Sequence, residues 1–345
     1  MRSRRLARCK GLNVVAVKER RTAGSVKAKY RWWQMLSPSS TAQPPASSRG
    51  WLHHRFAGIV GVGIAIVGLS WNTTLVKSIG APATVVAFWR MLFATIGWHG
   101  FLLVKGKSPT PAQWRAGIAP GLLFALNLLF FFNGTIRTAV AHAEFIGALT
   151  PLLVIPAAAV VFHERVPKAV LWLGLVALSG LALIIFVGRS SKGVSFLGDA
   201  LIGCAIVTWS AYLLVTKSVR STMGTAPFMA VLTSVCCLAV APLALASGKL
   251  FSLSSKGWVL VTVMAMSAGI VCHGLIAWAQ TRVPVGIITL LQLAQPVLGT
   301  LIGFLVLHEN VEPLQIVGMA VVISAVGAVA RVSVNSAVRS VKEVL

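Results

Sequence analysis

Apolar residues run from Phe56 to about Ala330 with only brief polar interruptions, and those interruptions recur at about the length of one membrane crossing. A helix rises about 1.5 Å per residue, so roughly 20 residues cover about 30 Å of hydrocarbon. On that scale the pattern predicts ten helices, over 56–76, 83–104, 115–133, 139–162, 168–187, 198–216, 225–246, 257–279, 284–307 and 313–331. A β-barrel would show short alternating segments instead. Gly and Ser are frequent inside the apolar runs, as in GIVGVGIAIVGLS and LIGCAIVTWSA, and small residues let helix backbones approach closely in lipid. The expected fold class is therefore an all-α integral membrane protein.

The pattern also repeats. LTPLLVIPAAAVVFHERV, ending at Val166, recurs as LAQPVLGTLIGFLVLHENV, ending at Val311, with the same thirteen-residue step from Pro151 to Glu164 and from Pro296 to Glu309. An offset of 145 also relates Pro82 to Pro227, Arg137 to Arg282, Val140 to Val285 and His163 to His308. The chain thus divides into a basic tail over 1–55, one five-helix repeat over 56–187, a second over 198–331, and a C-terminal tail over 332–345. Five is odd, so the second repeat enters the membrane inverted relative to the first. In such architectures the solute site lies near the midplane between the copies, and access alternates as one copy rocks against the other.

Composition and charge add a compartment. Hydrophobic residues are 57% of the chain and charged residues 11%, which excludes an ordinary water-soluble globule. Of the formal charge of +24, much sits in the tail: thirteen Lys and Arg precede residue 56, opposed only by Glu19. A cytoplasmic anchor for anionic lipid headgroups, an organellar transit segment and a start site at Met35 are all open readings of it. Attached to membrane helices, it does not argue for nucleic acid. SPSSTAQPPASS, ending at Ser48, reads as a flexible linker. With the tail inside, eleven Lys and Arg fall on cytoplasmic connections against six on the other side, in agreement with the positive-inside rule. Both termini are then cytoplasmic in a cell (inner) membrane, with the Arg137 and Glu309 loops opposite. Cys9, Cys204, Cys236, Cys237 and Cys272 form no spaced framework, so neither metal nor disulfide is expected. No phosphate-binding Gly loop is present, which leaves gradients as the energy source and no cofactor.

Polar residues inside the apolar runs carry the candidate chemistry. Glu144 is the most informative, because an acidic group on a membrane helix is costly unless paired, wet or protonated. By rise per residue it lies roughly 8 Å below the outer end of its helix, and Arg90 about 10 Å below the outer end of its own. The shared depth suggests an ion pair, which Lys77 could join at the end of helix 1. At the offset of 145 the second repeat has Thr289 and Val235 instead. A structural pair, proton or cation coupling through Glu144, and snorkelling remain open. Glu164 and Glu309 precede the helix-starting Pro167 and Pro313, where a carboxylate suits the positive end of a helix dipole. Neither His163-Glu164 nor His308-Glu309 has the second His of a zinc-protease motif, and His142 with Glu144 supplies only two ligands. Trp71 and Trp209 hold comparable places in helices 1 and 6, and Trp278 ends helix 8; core packing and an aromatic cavity lining are both open. Gln280, Gln292, Gln295, Asn72 and Asn127 could touch solute or bond between helices.

Four stretches carry a family likeness: SWNTTLVK with Trp71, Asn72 and Lys77; APATVVAFWR with Pro82 and Arg90; and the two Pro-to-Glu segments. The chain resembles the ten-helix exporters of the drug/metabolite transporter superfamily built from two EamA domains. The resemblance spans about 56–331 and implies an inner-membrane carrier, moving metabolites, amino acids or drug-like compounds, usually outward. The expectation is a secondary transporter for a small organic solute, with no catalytic residue and with room for a homodimer. An intramembrane enzyme using Glu144 and His142, or a translocator of lipid-linked substrates, is the alternative.

Overall fold

The computed structural model describes residues 48–138, 140–164, 166–187, 195–307 and 313–342. The N-terminal basic stretch up to residue 47 lies outside them, as does Glu309. The described residues are helical, with no strand among them: α1 (Ser48–Leu69), α2 (Asn72–Ile79), α3 (Ala83–Val104), α4 (Pro111–Thr135), α5 (Val140–Ala148), α6 (Thr150–Phe162), α7 (Lys168–Val187), α8 (Phe196–Arg220), α9 (Thr225–Ala246), α10 (Ser255–Met264), a π-helical segment (Ala265–Cys272), α11 (His273–Ala279), α12 (Val285–Leu291), a 3₁₀ turn (Gln292–Ala294), α13 (Gln295–Leu307) and α14 (Pro313–Lys342). Among the described residues, seven helical stretches are long and apolar enough to cross a membrane, and Ile146–Phe162, Lys168–Leu183 and Ile316–Val332 are shorter apolar helices.

Several expected spans are not single helices. The run over 139–162 is α5 and α6, which meet at Leu149. Pro151 causes the break, since it donates no backbone hydrogen bond and its ring crowds the carbonyl four residues back. That carbonyl, on Gly147, instead accepts the Thr150 hydroxyl at 2.6 Å, as backbone freed inside a membrane protein must be satisfied internally. The run over 284–307 breaks likewise, through the 3₁₀ turn just before Pro296. The first run begins at Ser48, ahead of the expected 56, and breaks at Ser70 and Trp71. There the Ser70 hydroxyl donates back to the Ile66 carbonyl at 2.7 Å, a bond that bends helices. At the other end, α14 continues to Lys342, so much of the expected C-terminal tail is helix.

The most extensive helix contacts are α7 with α14, α4 with α8, and α9 with both α3 and α4. Small residues set these distances. A Cβ on Gly117 or Gly121 would come within 2.3 Å or 2.6 Å of Val231 or Val235 on α9, so the two helices meet at this separation only because α4 has glycine there. On α7, a Cβ at Gly180 would stand 2.9 Å from the Gly318 carbonyl of α14. Helix starts are capped in the ordinary way: Thr110 and Gln113 form a reciprocal capping box at α4, and Ser195 and Ser254 accept from the third residue of α8 and α10.

Candidate functional site

A cavity enclosing, with its mouth, about 820 Å³ of atom-free space lies where α5 gives way to α6 and α12 to α13. Asn72, Arg90, Asn127, Glu144, Thr150 and Pro151 line it from the first half of the chain, and Trp209, His273, Thr289, Gln292, Gln295 and Pro296 from the second. The two proline breaks therefore present helix ends and polar side chains to one space.

Glu144, only 5% exposed, is held by the protein itself. The Thr73 hydroxyl donates to Oε1 at 2.5 Å, and the Gln295 side chain supplies a further hydrogen bond. Gly299, one turn beyond Gln295, leaves room for the carboxyl: a Cβ there would sit 3.5 Å from the carboxyl carbon. Arg90 lines the same cavity and is fully buried. Its Nε, Nη1 and Nη2 have no hydrogen-bond partner among the described residues, and the guanidinium lies over the Phe132 ring at 5.5 Å from the centroid. The ion pair expected between Glu144 and Arg90 is not formed. Depth along a helix fixes height in the bilayer but not direction around the axis, and Thr73 and Gln295 hold the carboxylate.

Lys77 does not join Glu144 either. At the end of α2 its ammonium donates to the Thr138 carbonyl at 2.9 Å, while the Thr138 hydroxyl donates to Asp199 Oδ1 on α8 at 2.5 Å. Glu164 does not serve the helix that follows it in sequence. Its carboxylate accepts the backbone N–H of Val285, the first residue of α12, at 3.1 Å, and pairs with Lys217 on α8. The dipole argument still applies, but to a helix of the other repeat. Beside this contact, Arg282 stacks over Trp278 at 3.7 Å, and desolvation lowers the pKa of its guanidinium.

Of the three tryptophans singled out, Trp209 lines the cavity, stacked on Tyr212 at 4.9 Å with Phe124 and His273 nearby. Trp71, at the α1/α2 break, is 43% exposed and outside the cavity wall. Trp278 is spent on Arg282. Asn127 lines the cavity while its amide donates to the Ala205 carbonyl at 2.9 Å; Gln280 bonds across to the Leu213 carbonyl at 3.3 Å and lies outside the wall. The side chain of His142 is outside the described residues. His273 was not singled out by its sequence context. It is buried, lines the cavity and has no partner at Nδ1; the available signal is a histidine in an apolar run, and it follows a π-helical segment, a feature frequent at functional sites.

The model of the EamA-like transporter family matches residues 56–186 and again 196–331. A pseudopaline exporter, CntI, of Pseudomonas aeruginosa is 27% identical over 131 residues, which are 37% of this chain and 46% of that protein, in each of two strains. The match thus spans about half the length of these relatives. One crystal structure superposes with a TM-score of 0.64 at 19% identity, over 81% of this chain and 98% of that one, a likeness of fold alone. Together with the apolar helices, the family match makes this an integral, multi-pass protein of the inner membrane and points to a transporter rather than an enzyme. With both halves matched by the same family model, the chain belongs to the EamA-like transporter family.

Proposed function

We propose that this protein is a secondary transporter that exports a small organic solute by alternating access, built as ten membrane helices in two inverted five-helix repeats with both termini cytoplasmic. The observation that carries the reading is the cavity itself: it is lined by both halves at paired proline breaks, where half-helix ends serve solutes in carriers of this kind. The contact pattern supports a two-fold relation between the repeats. Under exchange of the repeats, α3 against α9 and α7 against α14 map onto themselves, while α4 against α8 maps onto the α10–α11 stretch against α1, and that contact is also made.

Two polar contacts supply candidate gates at opposite ends. Glu164 with Lys217 and the start of α12 joins the repeats at the proposed cytoplasmic end. Lys77 and Asp199, both meeting Thr138, join them at the other. Opening one while the other holds is what alternating access requires. The test is reconstitution of the full chain in proteoliposomes and counterflow of a pooled metabolite panel, with and without a pH gradient. Accumulation of one or more solutes above protein-free vesicles is expected; none under any gradient would overturn the reading.

A further inference from the structure

Three side chains on the cavity wall have polar atoms that no described residue satisfies: Arg90 at Nε, Nη1 and Nη2, His273 at Nδ1, and Asn72 at Oδ1. All three are buried, Arg90 completely. A buried guanidinium without a counter-charge is among the most costly groups a membrane protein can carry. Its position over the Phe132 ring offsets only a small part of that. The neighbouring carboxylate does not relieve it, because Glu144 is engaged by Thr73 and Gln295. A solute bearing a negative charge would supply the partner that the described residues do not.

We propose, building on the transporter reading, that the solute is a small organic monocarboxylate whose carboxylate docks on Arg90. The chemistry selects it. A guanidinium presents N–H groups in a planar fork that matches a planar carboxylate with two parallel bonds. Among the described residues lining the cavity Arg90 is the only Lys or Arg, so there is one planar fork for one carboxylate, and a second anionic group would face the wall that carries Glu144. His273, close by on α11, offers a further polar atom, and the Asn72 carbonyl oxygen an acceptor for a hydroxyl or amino group on the same solute. Trp209, stacked on Tyr212, gives the solute's carbon skeleton an aromatic face. A consequence follows for the cycle: the occluded carrier is less costly loaded than empty, because only the loaded form pairs the guanidinium.

The experiment uses the full chain in proteoliposomes and a set of isotope-labelled carboxylic acids, each matched with its primary amide and its phosphonate, read by mass spectrometry of the lumen after counterflow. Wild type is expected to favour acids over their amides by at least about tenfold, as buried groups left unpaired reject the analogue that cannot pair them. Arg90→Met should collapse that ratio to near one, and Arg90→Lys should retain part of it. Equal entry of acids and amides into wild-type vesicles overturns the proposal with no variant needed, as does a preference for phosphonates. If only amides or other uncharged compounds move, transport stands and the carboxylate site falls; if nothing moves, both readings fall together.

Discussion

Glu144 and Arg90 share a depth and a cavity yet answer to different groups, and the reason lies in direction around the helix axis. Sequence gives height through rise per residue, and it correctly singles out a carboxylate and a guanidinium in apolar runs as costly. It does not reveal that Thr73, one residue beyond Asn72 on the short helix after the break, points its hydroxyl at the carboxylate. Nor does it reveal that Gln295 reaches it from the second repeat. Double-mutant cycles separate the two arrangements. Thr73→Val should destabilise by about 1–3 kcal/mol, the range for removing a partner from a buried polar group, and should couple with Glu144→Gln. Arg90→Met and Glu144→Gln should couple more weakly than Thr73→Val and Glu144→Gln do, because they share a cavity but no hydrogen bond. Thermal unfolding in detergent, followed by intrinsic fluorescence, gives the four corners of each cycle. Strong coupling of Arg90 to Glu144 would restore the pair that depth alone suggested.

At the scale of elements, the apolar runs located the helices but not their interruptions. Pro151 and Pro296 were visible, but prolines inside membrane helices are tolerated, so a run such as 139–162 reads as one span. The structure resolves it into α5 and α6, with Thr150 occupying the carbonyl that the proline leaves unpaired. The break at Ser70 and Trp71 has no proline to announce it, and the match of Trp71 to Trp209 between helices 1 and 6 does not carry over to the cavity wall, which only Trp209 lines. Glycines are the reverse case: their abundance was legible, but which ones set a helix contact was not. Gly121 has Val235 within 2.6 Å of where a Cβ would stand, while Gly203 has nothing within 4 Å. Opposite signs follow. Gly121→Ala should lower the unfolding temperature, because overpacking typically costs about 1–3 kcal/mol. Gly203→Ala should raise it slightly, by the roughly 0.5–1 kcal/mol that separates glycine from alanine in a helix. A rise for both would mean that the α4–α9 contact yields to the extra methyl.

For the whole molecule, charge acts at the ends of the bundle. The N-terminal stretch over 1–34 carries eleven Lys and Arg against Glu19, worth about 1 kcal/mol each near an anionic surface, and has no counterpart in the repeat. Its deletion should leave counterflow unchanged and weaken flotation with anionic liposomes; loss of transport in a well-folded truncation would assign it a different role. The duplication was legible from Pro151, Glu164, Pro296 and Glu309, but a repeat read along the chain assigned Glu164 to the helix following it. Folding brings that carboxylate to α12 and Lys217 instead, so the contact crosses between repeats and becomes able to report which face is closed. With native cysteines removed and Asn127→Cys placed on the cavity wall, Lys217→Met should speed modification by a membrane-impermeant thiol reagent from the Glu164 side, by a few-fold or more. Thr138→Val, which removes the hydroxyl held by Asp199, should speed it from the opposite side only. The sign is set by which contact survives: a carrier with one gate weakened spends more time open to that face, by a factor following the free energy lost. If both substitutions raise labelling from the same face, or neither changes it, these contacts are structural joins and the gates lie elsewhere.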